Sequence, residues 1–195
     1  MAKTLKFGPI WLMQPIPYFG ETIKGSWIYE PKIDGWRMQV LRNKDGKIEF
    51  WGRRLERSPN WSKKLGYLIS LSKKIVPKGV LFDCELYSTG GRRFIPSLFA
   101  ARPKVQPIIY VFDVIYFDNR CISDLSLEAR KKILRQIKFK KPFFCLPDKV
   151  LTNIKKDHRK TVAKGHEGIV IKKLDSPYFI GKEAPIATHY WRKVK

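Results

Sequence analysis

Glu30-Pro31-Lys32-Ile33-Asp34-Gly35-Trp36-Arg37 is the stretch on which the fold turns. It lies between two runs, 26–31 and 36–42, whose aromatic and branched residues read as strands interrupted by Asp34-Gly35. A lysine at a strand end, beside a glycine that breaks the ladder, can present its amine to a ligand. To act as a nucleophile that amine must be deprotonated near neutral pH, and nearby cations or a dry pocket would lower its pKa. Taken alone, the octet fits a surface lysine followed by an Asp-Gly turn equally well.

Outward from the octet, Asn43-Lys44-Asp45-Gly46 signals a turn and Lys47 to Trp51 the returning strand of a hairpin. Trp61 to Val76 places Leu65, Leu68, Ile69, Ser72 and Ile75 near helical spacing and predicts an amphipathic helix ended by Pro77. Val80 to Tyr87 predicts a strand, Ser88 to Arg93 a Gly-rich basic loop, and Ile108 to Phe117 a long buried strand. Ser126 can cap a helix running to about Lys138 with Leu127, Ile133, Leu134 and Ile137 inward. Thr152 to Lys164 predicts another helix with Gly165 at its C-terminal cap, and Ile169–Lys173 and Tyr190–Val194 predict strands. Hairpins with isolated helices indicate a single α+β domain over 1–195 rather than alternating βαβ units.

Several further residues carry chemistry. Glu85, inside the hydrophobic run Leu81 to Tyr87, is costly unless a ribose hydroxyl, a metal ion or a lysine satisfies it; an edge strand facing water is the other reading. Phe112 can offer a platform for an aromatic base, although its segment alone is ordinary core strand. Glu167 and Lys172 are five residues apart, so a regular strand would put them on opposite faces unless a bulge or twist intervenes. Lys193 and Lys195 alternate and share a face, which suits a polyphosphate or, alternatively, a frayed basic tail.

Forty Lys and Arg against 17 Asp and Glu give a formal net charge of +23 and a pI near 10.1. Such self-repulsion favours a polyanionic partner, nucleic acid first, over simple solubility or adaptation to heat. A hydrophobic content of 44% argues against wholesale disorder. Cys84, Cys121 and Cys145 form no CxxC pair, so neither a zinc site nor a disulfide framework is indicated, and a reducing, cytoplasmic setting is expected. The N-terminal Met-Ala-Lys-Thr shows no apolar signal segment, and no stretch approaches the ~18 apolar residues of a membrane span.

Together, in this order and with these gaps, the segments resemble the covalent nucleotidyltransferase superfamily of DNA ligases, RNA ligases and mRNA capping enzymes. Lys32, Asp34, Gly35 and Arg37 match the nucleophile motif KxDGxR; Glu167 and Lys172 match EGxxxK; Lys193 and Lys195 match WxKxK. Arg53 follows the hairpin, and Glu85 and Phe112 match the intervening motifs. Tyr29 to Arg37 and the run from Glu167 to Tyr178 look most like the adenylation domains of bacterial end-joining and related small ATP-dependent DNA ligases. The resemblance implies two antiparallel β-sheets with flanking helices around a nucleotide cleft, the ATP-grasp-like fold of DNA ligases and capping enzymes. It implies ATP and Mg2+ or Mn2+ as cofactors, and Lys32 as the catalytic residue that carries AMP to a 5′-phosphate at a nick. Glu30 would read the adenine amino group, and Arg37 and Arg53 would hold ribose or phosphate. Lys172, Lys193 and Lys195 would neutralise phosphate, and Glu85 and Glu167 would stand on the metal side, with Glu85 alternatively on the ribose. Nicked duplex DNA is the expected partner, with RNA as the alternative, no membrane, and a separate OB-fold or repair protein as a further candidate. No OB-fold domain is expected within 1–195, which leaves nick sealing by this stretch in question. An RNA ligase, or a noncatalytic nucleic-acid-binding module with a vestigial pocket, is the competing function.

Overall fold

In a computed structural model, residues 7–195 are described; the reading made on Met-Ala-Lys-Thr lies outside them. Two sheets form the frame. The first has the order β1-β11-β10-β2-β9 and comprises β1 (Gln14–Pro17), β2 (Trp27–Pro31), β9 (Lys149–Val150), β10 (Ile169–Lys173) and β11 (Ala187–Val194). The second has the order β4-β3-β5-β6-β7 and comprises β3 (Trp36–Arg42), β4 (Ile48–Gly52), β5 (Val80–Ser88), β6 (Pro107–Phe117) and β7 (Arg120–Cys121), with β8 (Phe143–Cys145) paired to β6. The central pairings are antiparallel, while β1 joins β11 and β8 joins β6 in parallel. The described residues also form three α-helices, α1 (Ile69–Ile75), α2 (Leu127–Gln136) and α3 (Ile154–Val162), and three 3-10 segments, Leu55–Arg57, Gly66–Leu68 and Arg92–Phe99.

Strand alternation sorts the core into layers. Met38 and Val40 of β3, and Phe82, Cys84 and Leu86 of β5, point to the outer face of the second sheet, where Leu68, Ile75 and Leu134 cover them. Leu41 and Leu81 point the other way and meet Leu12, Met13, Tyr178 and Trp191 between the sheets. On the outer face of the first sheet, Trp27, Tyr29, Ile169 and Ile171 pack under Ile154 of α3. The buried alternation explains why these runs become strands: each has one apolar face that only a second layer removes from water.

The predicted helix over 61–76 is corrected: only Ile69–Ile75 is α-helical, preceded by a 3-10 turn at Gly66–Leu68. Gly66 is a poor helix former and no side chain caps the segment, so the first half settles into turns held by Trp61 against β4. α2 begins where expected, with the Ser126 side chain accepting from Ala129 N; α3 is shorter than expected, starting at Ile154 behind Asn153, whose side chain accepts from Lys156 N, and ending at Val162 with Ala163, not Gly165, as its cap. No helix of the described residues is long and apolar enough to cross a membrane.

Candidate active site

Chain connectivity builds the site. Residues 32–35 join the last residue of β2, in the first sheet, to β3, in the second. Lys32 therefore sits on the link that crosses between sheets, and a cleft of about 810 Å³ opens there. Its backbone N donates to Gly168 O at 2.9 Å, which pins the link to the start of β10. Gly35 permits the close approach: a Cβ there would meet Leu86 O and come within 2.8 Å of Glu85 Cγ.

The difficulty of Glu167 and Lys172 facing opposite ways is resolved by Gly168. Glu167 lies before β10, and Gly168 at φ 155° turns the chain so that period two does not extend back to it. Val170 and Lys172 then share the cleft face with Glu167, opposite Lys193 and Trp191 of β11, with Lys195 just beyond that strand also on the lining. A Cβ on Gly168 would strike Val194 O. Gly168→Ala is expected to lower the thermal midpoint, at a cost above about 1 kcal/mol, by strain and by prising β10 from β11; an unchanged melting curve would remove the backbone argument.

A second irregularity aims Phe112. Along β6 the register skips Phe112 between Asp113, opposite Asp83, and Val111, opposite Cys84. The extra residue is a bulge, and it directs the Phe112 ring into the cleft while Val111 stays on the outer face.

All ten residues singled out from the sequence line this one cleft: Glu30, Lys32, Arg37, Arg53 and Glu85 with Phe112, Glu167, Lys172, Lys193 and Lys195. Their partners differ in kind. The Lys32 ammonium is ion-paired with Glu167, which also takes Lys195 at 2.7 Å. Burial works against the Glu167 charge, but the two lysines outweigh it and hold its carboxyl below the ordinary value. Lys172 is buried 2.7 Å from Glu30 Oε2 without hydrogen-bond alignment, and its ammonium lies 3.8 Å and 4.5 Å from the Trp191 and Phe112 ring centroids. Burial lowers its pKa. Arg37 is gripped by Asp83 at 2.9 and 2.6 Å, and also donates to Met13 O. Burial opposes the guanidinium charge, yet the Asp83 carboxylate outweighs it and raises the pKa above its ordinary value.

Glu85 alone among the four cleft carboxylates has no side-chain hydrogen bond or ion pair among the described residues. Burial, offset in part by Arg37, pushes its carboxyl up to about 7. The folded protein thus keeps a proton that the unfolded chain releases near the ordinary value of 4.5, and stability falls as pH rises from there through about 7. Glu85→Gln is expected to flatten that decline in thermal unfolding; parallel pH profiles for variant and wild type would refute it. A carboxylate so placed fits a cation or a ribose hydroxyl. No group of three or more His, Cys, Asp or Glu that could hold a metal ion occurs among the described residues.

Several contributors escaped the sequence reading. Arg54, Arg57 and Arg92 add positive charge to the cleft, and Arg92 pairs with Asp34. Asp83 of β5 also bears on the cleft, because it holds Arg37: it and Glu85 are an i, i+2 pair on one strand face, a periodicity visible in the run Leu81 to Tyr87. Lys131 of α2 had no signal, since its ion pair with Glu30 crosses 101 residues. Counted over the lining, nine cationic side chains face four carboxylates, so the cleft selects anions.

The profile of the family described as ATP dependent DNA ligase domain matches residues 13–195. The chain belongs to this family. Among relatives of this ligase-domain chain, a DNA ligase of Archaeoglobus fulgidus is 30% identical over 183 residues, covering 85% of the chain and 31% of that protein. The SPbeta prophage-derived DNA ligase-like protein LigB of Bacillus subtilis is 30% identical over 175 residues, covering 87% of the chain and 61% of that protein. The chain thus spans about a third to three-fifths of the length of these relatives. In fold, the ligase domain resembles a mycobacterial DNA ligase D complexed with ATP and MES, with a TM-score of 0.71 at 18% identity over 93% of the chain and 59% of that one. It also resembles the ATP-dependent DNA ligase from bacteriophage T7 in complex with ATP, with a TM-score of 0.64 at 16% identity over 95% of the chain and 68% of that one.

Proposed function

We propose that this ligase domain forms a covalent lysyl-AMP on Lys32 and transfers the AMP to a 5′-phosphate at a nick in duplex DNA. The observation that carries the reading is the position of Lys32, on the link between the sheets and against Glu167, in a cleft otherwise dominated by cations. The Lys32 ammonium gives up a proton to water in the open cleft, beside the Glu167 carboxylate in contact with it. The neutral amine then attacks the α-phosphorus of ATP; the N–P bond forms and the bond to pyrophosphate breaks. Lys193 and Lys195 neutralise phosphate oxygens along the path, where oriented charge is worth most because it needs no rearrangement during reaction, while Lys172, buried against Glu30, adds positive charge from the cleft wall. Arg37 keeps its Nη1 hydrogens for ribose or phosphate while Asp83 fixes the rest of its fork, and Arg53 stands at the cleft wall for the same group. Phe112 and Glu30 receive the adenine. Mg2+ or Mn2+, held by Glu85 and Glu167 directly or through water, would screen the phosphates and stabilise the departing pyrophosphate. In the later steps AMP passes to the 5′-phosphate and a 3′-hydroxyl displaces it.

The test uses ATP labelled at its α-phosphate with a divalent cation. Label is expected on the protein, and a chase with nicked duplex DNA is expected to move it to the 5′ end of the nick. Transfer to nicked RNA but not to DNA would reassign the substrate, and a chain that takes up no label would defeat the reading altogether. Binding to the nicked duplex should weaken steeply from low to moderate salt, since each neutralised phosphate releases counterion.

A further inference from the structure

The helix α2 carries two successive charged residues, Arg130 and Lys131, that are almost wholly buried. They reach in different directions across the seam between the sheets. Arg130 makes a two-point pair with Asp113 of β6, at 2.8 and 3.0 Å, and also donates to Leu125 O and Ser176 O. Lys131 reaches Oε1 of Glu30, on β2 of the opposite sheet. The other oxygen of Glu30 lies 2.7 Å from Lys172. Glu30 is thus a cleft-wall carboxylate held between two ammonium groups, all three with side chains no more than 2% exposed.

Taking an ammonium group out of water costs several kcal/mol, and a well-packed apolar side chain in its place is often neutral or better for stability. Arg130 already fastens α2 to the second sheet, so anchoring the helix does not require Lys131. What Lys131 does and an apolar side chain cannot is fix the direction of Glu30. Facing Lys172 alone, the carboxylate would be held at one oxygen and free to rotate about that contact. With one lysine on each oxygen the carboxylate is held at both ends, and each oxygen keeps a second lone pair. Burial disfavours the Lys131 charge, but Glu30 outweighs it and raises the pKa, which favours the charged form of Lys131.

We propose that Lys131 is a positioning residue for base selection: it locks Glu30 so that a remaining carboxylate lone pair accepts a hydrogen bond from the exocyclic amino group of adenine. Guanine presents a carbonyl oxygen at that position, which a fixed carboxylate repels; a carboxylate free to swing away would lose that discrimination. The inference rests on the assignment of the cleft to ATP.

The experiment measures equilibrium binding of ATP and of GTP, and the rate of nucleotide adduct formation with each, for the full chain and for Lys131→Met, Lys131→Gln and Lys131→Arg. In Lys131→Met the preference for ATP over GTP is expected to fall about tenfold, the scale of one hydrogen bond to a charged group. Lys131→Gln should fall as well, and Lys131→Arg, which keeps the charge, should recover most of the preference. In a Glu30→Gln background the Lys131 changes should have no further effect on the ratio, because the residue acts only through Glu30. A purely structural role would lower the thermal midpoint and weaken both nucleotides equally. An ATP-to-GTP ratio within about twofold of wild type in Lys131→Met, or in Lys131→Gln where the Met variant does not fold, overturns the proposal. A wild-type chain that binds neither nucleotide overturns the ATP assignment and this inference with it, and is told apart by needing no variant.

Discussion

Lys32→Ala is expected to leave no AMP on the protein, with adduct formation down by at least about 10⁴-fold, because on the proposed reading the group removed is the nucleophile. The fold should survive. The Lys32 side chain is 22% exposed and its ion pair with Glu167 faces the open cleft, so its loss costs at most about 1 kcal/mol. ATP binding should change by no more than about tenfold, since Lys193, Lys195 and Arg53 remain on the cleft lining as cations for the phosphates. Lys32→Arg should fail as completely as Lys32→Ala, for a guanidinium does not shed its proton in this pH range. Intact-protein mass after incubation with ATP and a divalent cation reads the adduct, and a binding titration reads the nucleotide. An undiminished adduct on Lys32→Ala would place the nucleophile elsewhere and undo the reading of the cleft.

Asp83→Ala should be the most destabilising single change in the cleft region. Asp83 is fully buried; it receives Arg37 at two points and the Tyr178 hydroxyl at 2.7 Å. Removing it strands a guanidinium that is itself only 10% exposed, and breaking one side of a buried pair costs about 3–5 kcal/mol. For a domain of this size that lowers the thermal midpoint by roughly 6–20 °C. Asp113 lies directly opposite Asp83 across β5 and β6, and two facing buried carboxylates are tolerated only because each has its own arginine, Arg37 and Arg130. The double variant Arg37→Met with Asp83→Ala should therefore lose much less than the sum of its parts, because no unpaired charge remains. Thermal unfolding of the two singles and the double measures this; a midpoint for Asp83→Ala within about 2 °C of wild type would show that Arg37 finds another acceptor.

The strands were legible wherever one face is buried and the chain alternates. Ile169–Lys173 falls where the pattern places it, and the turn at Asn43 to Gly46 returns β3 into β4 as its residues require. The helix over 61–76 was overdrawn, because apolar spacing of three and four also arises in 3-10 and turn segments that press one side against a sheet. In α2 the period correctly gave Leu127 and Leu134 as inward, yet Arg130 and Lys131 share that burial, since their acceptors lie on other strands. The bulge that turns Phe112 into the cleft and the dihedral of Gly168 that brings Glu167 round to Lys172 left no trace in any local period.

By itself the sequence determined the α+β class, the lysine at the end of a strand, the order of the motif residues and the excess of positive charge, all properties of neighbours along the chain. Which carboxylate holds which cation was decided only by the tertiary structure. Lys32 with Glu167, Arg37 with Asp83 and Lys131 with Glu30 are separated by 135, 46 and 101 residues, and a pairing energy that depends on distance and burial has no value until the two sheets close around it.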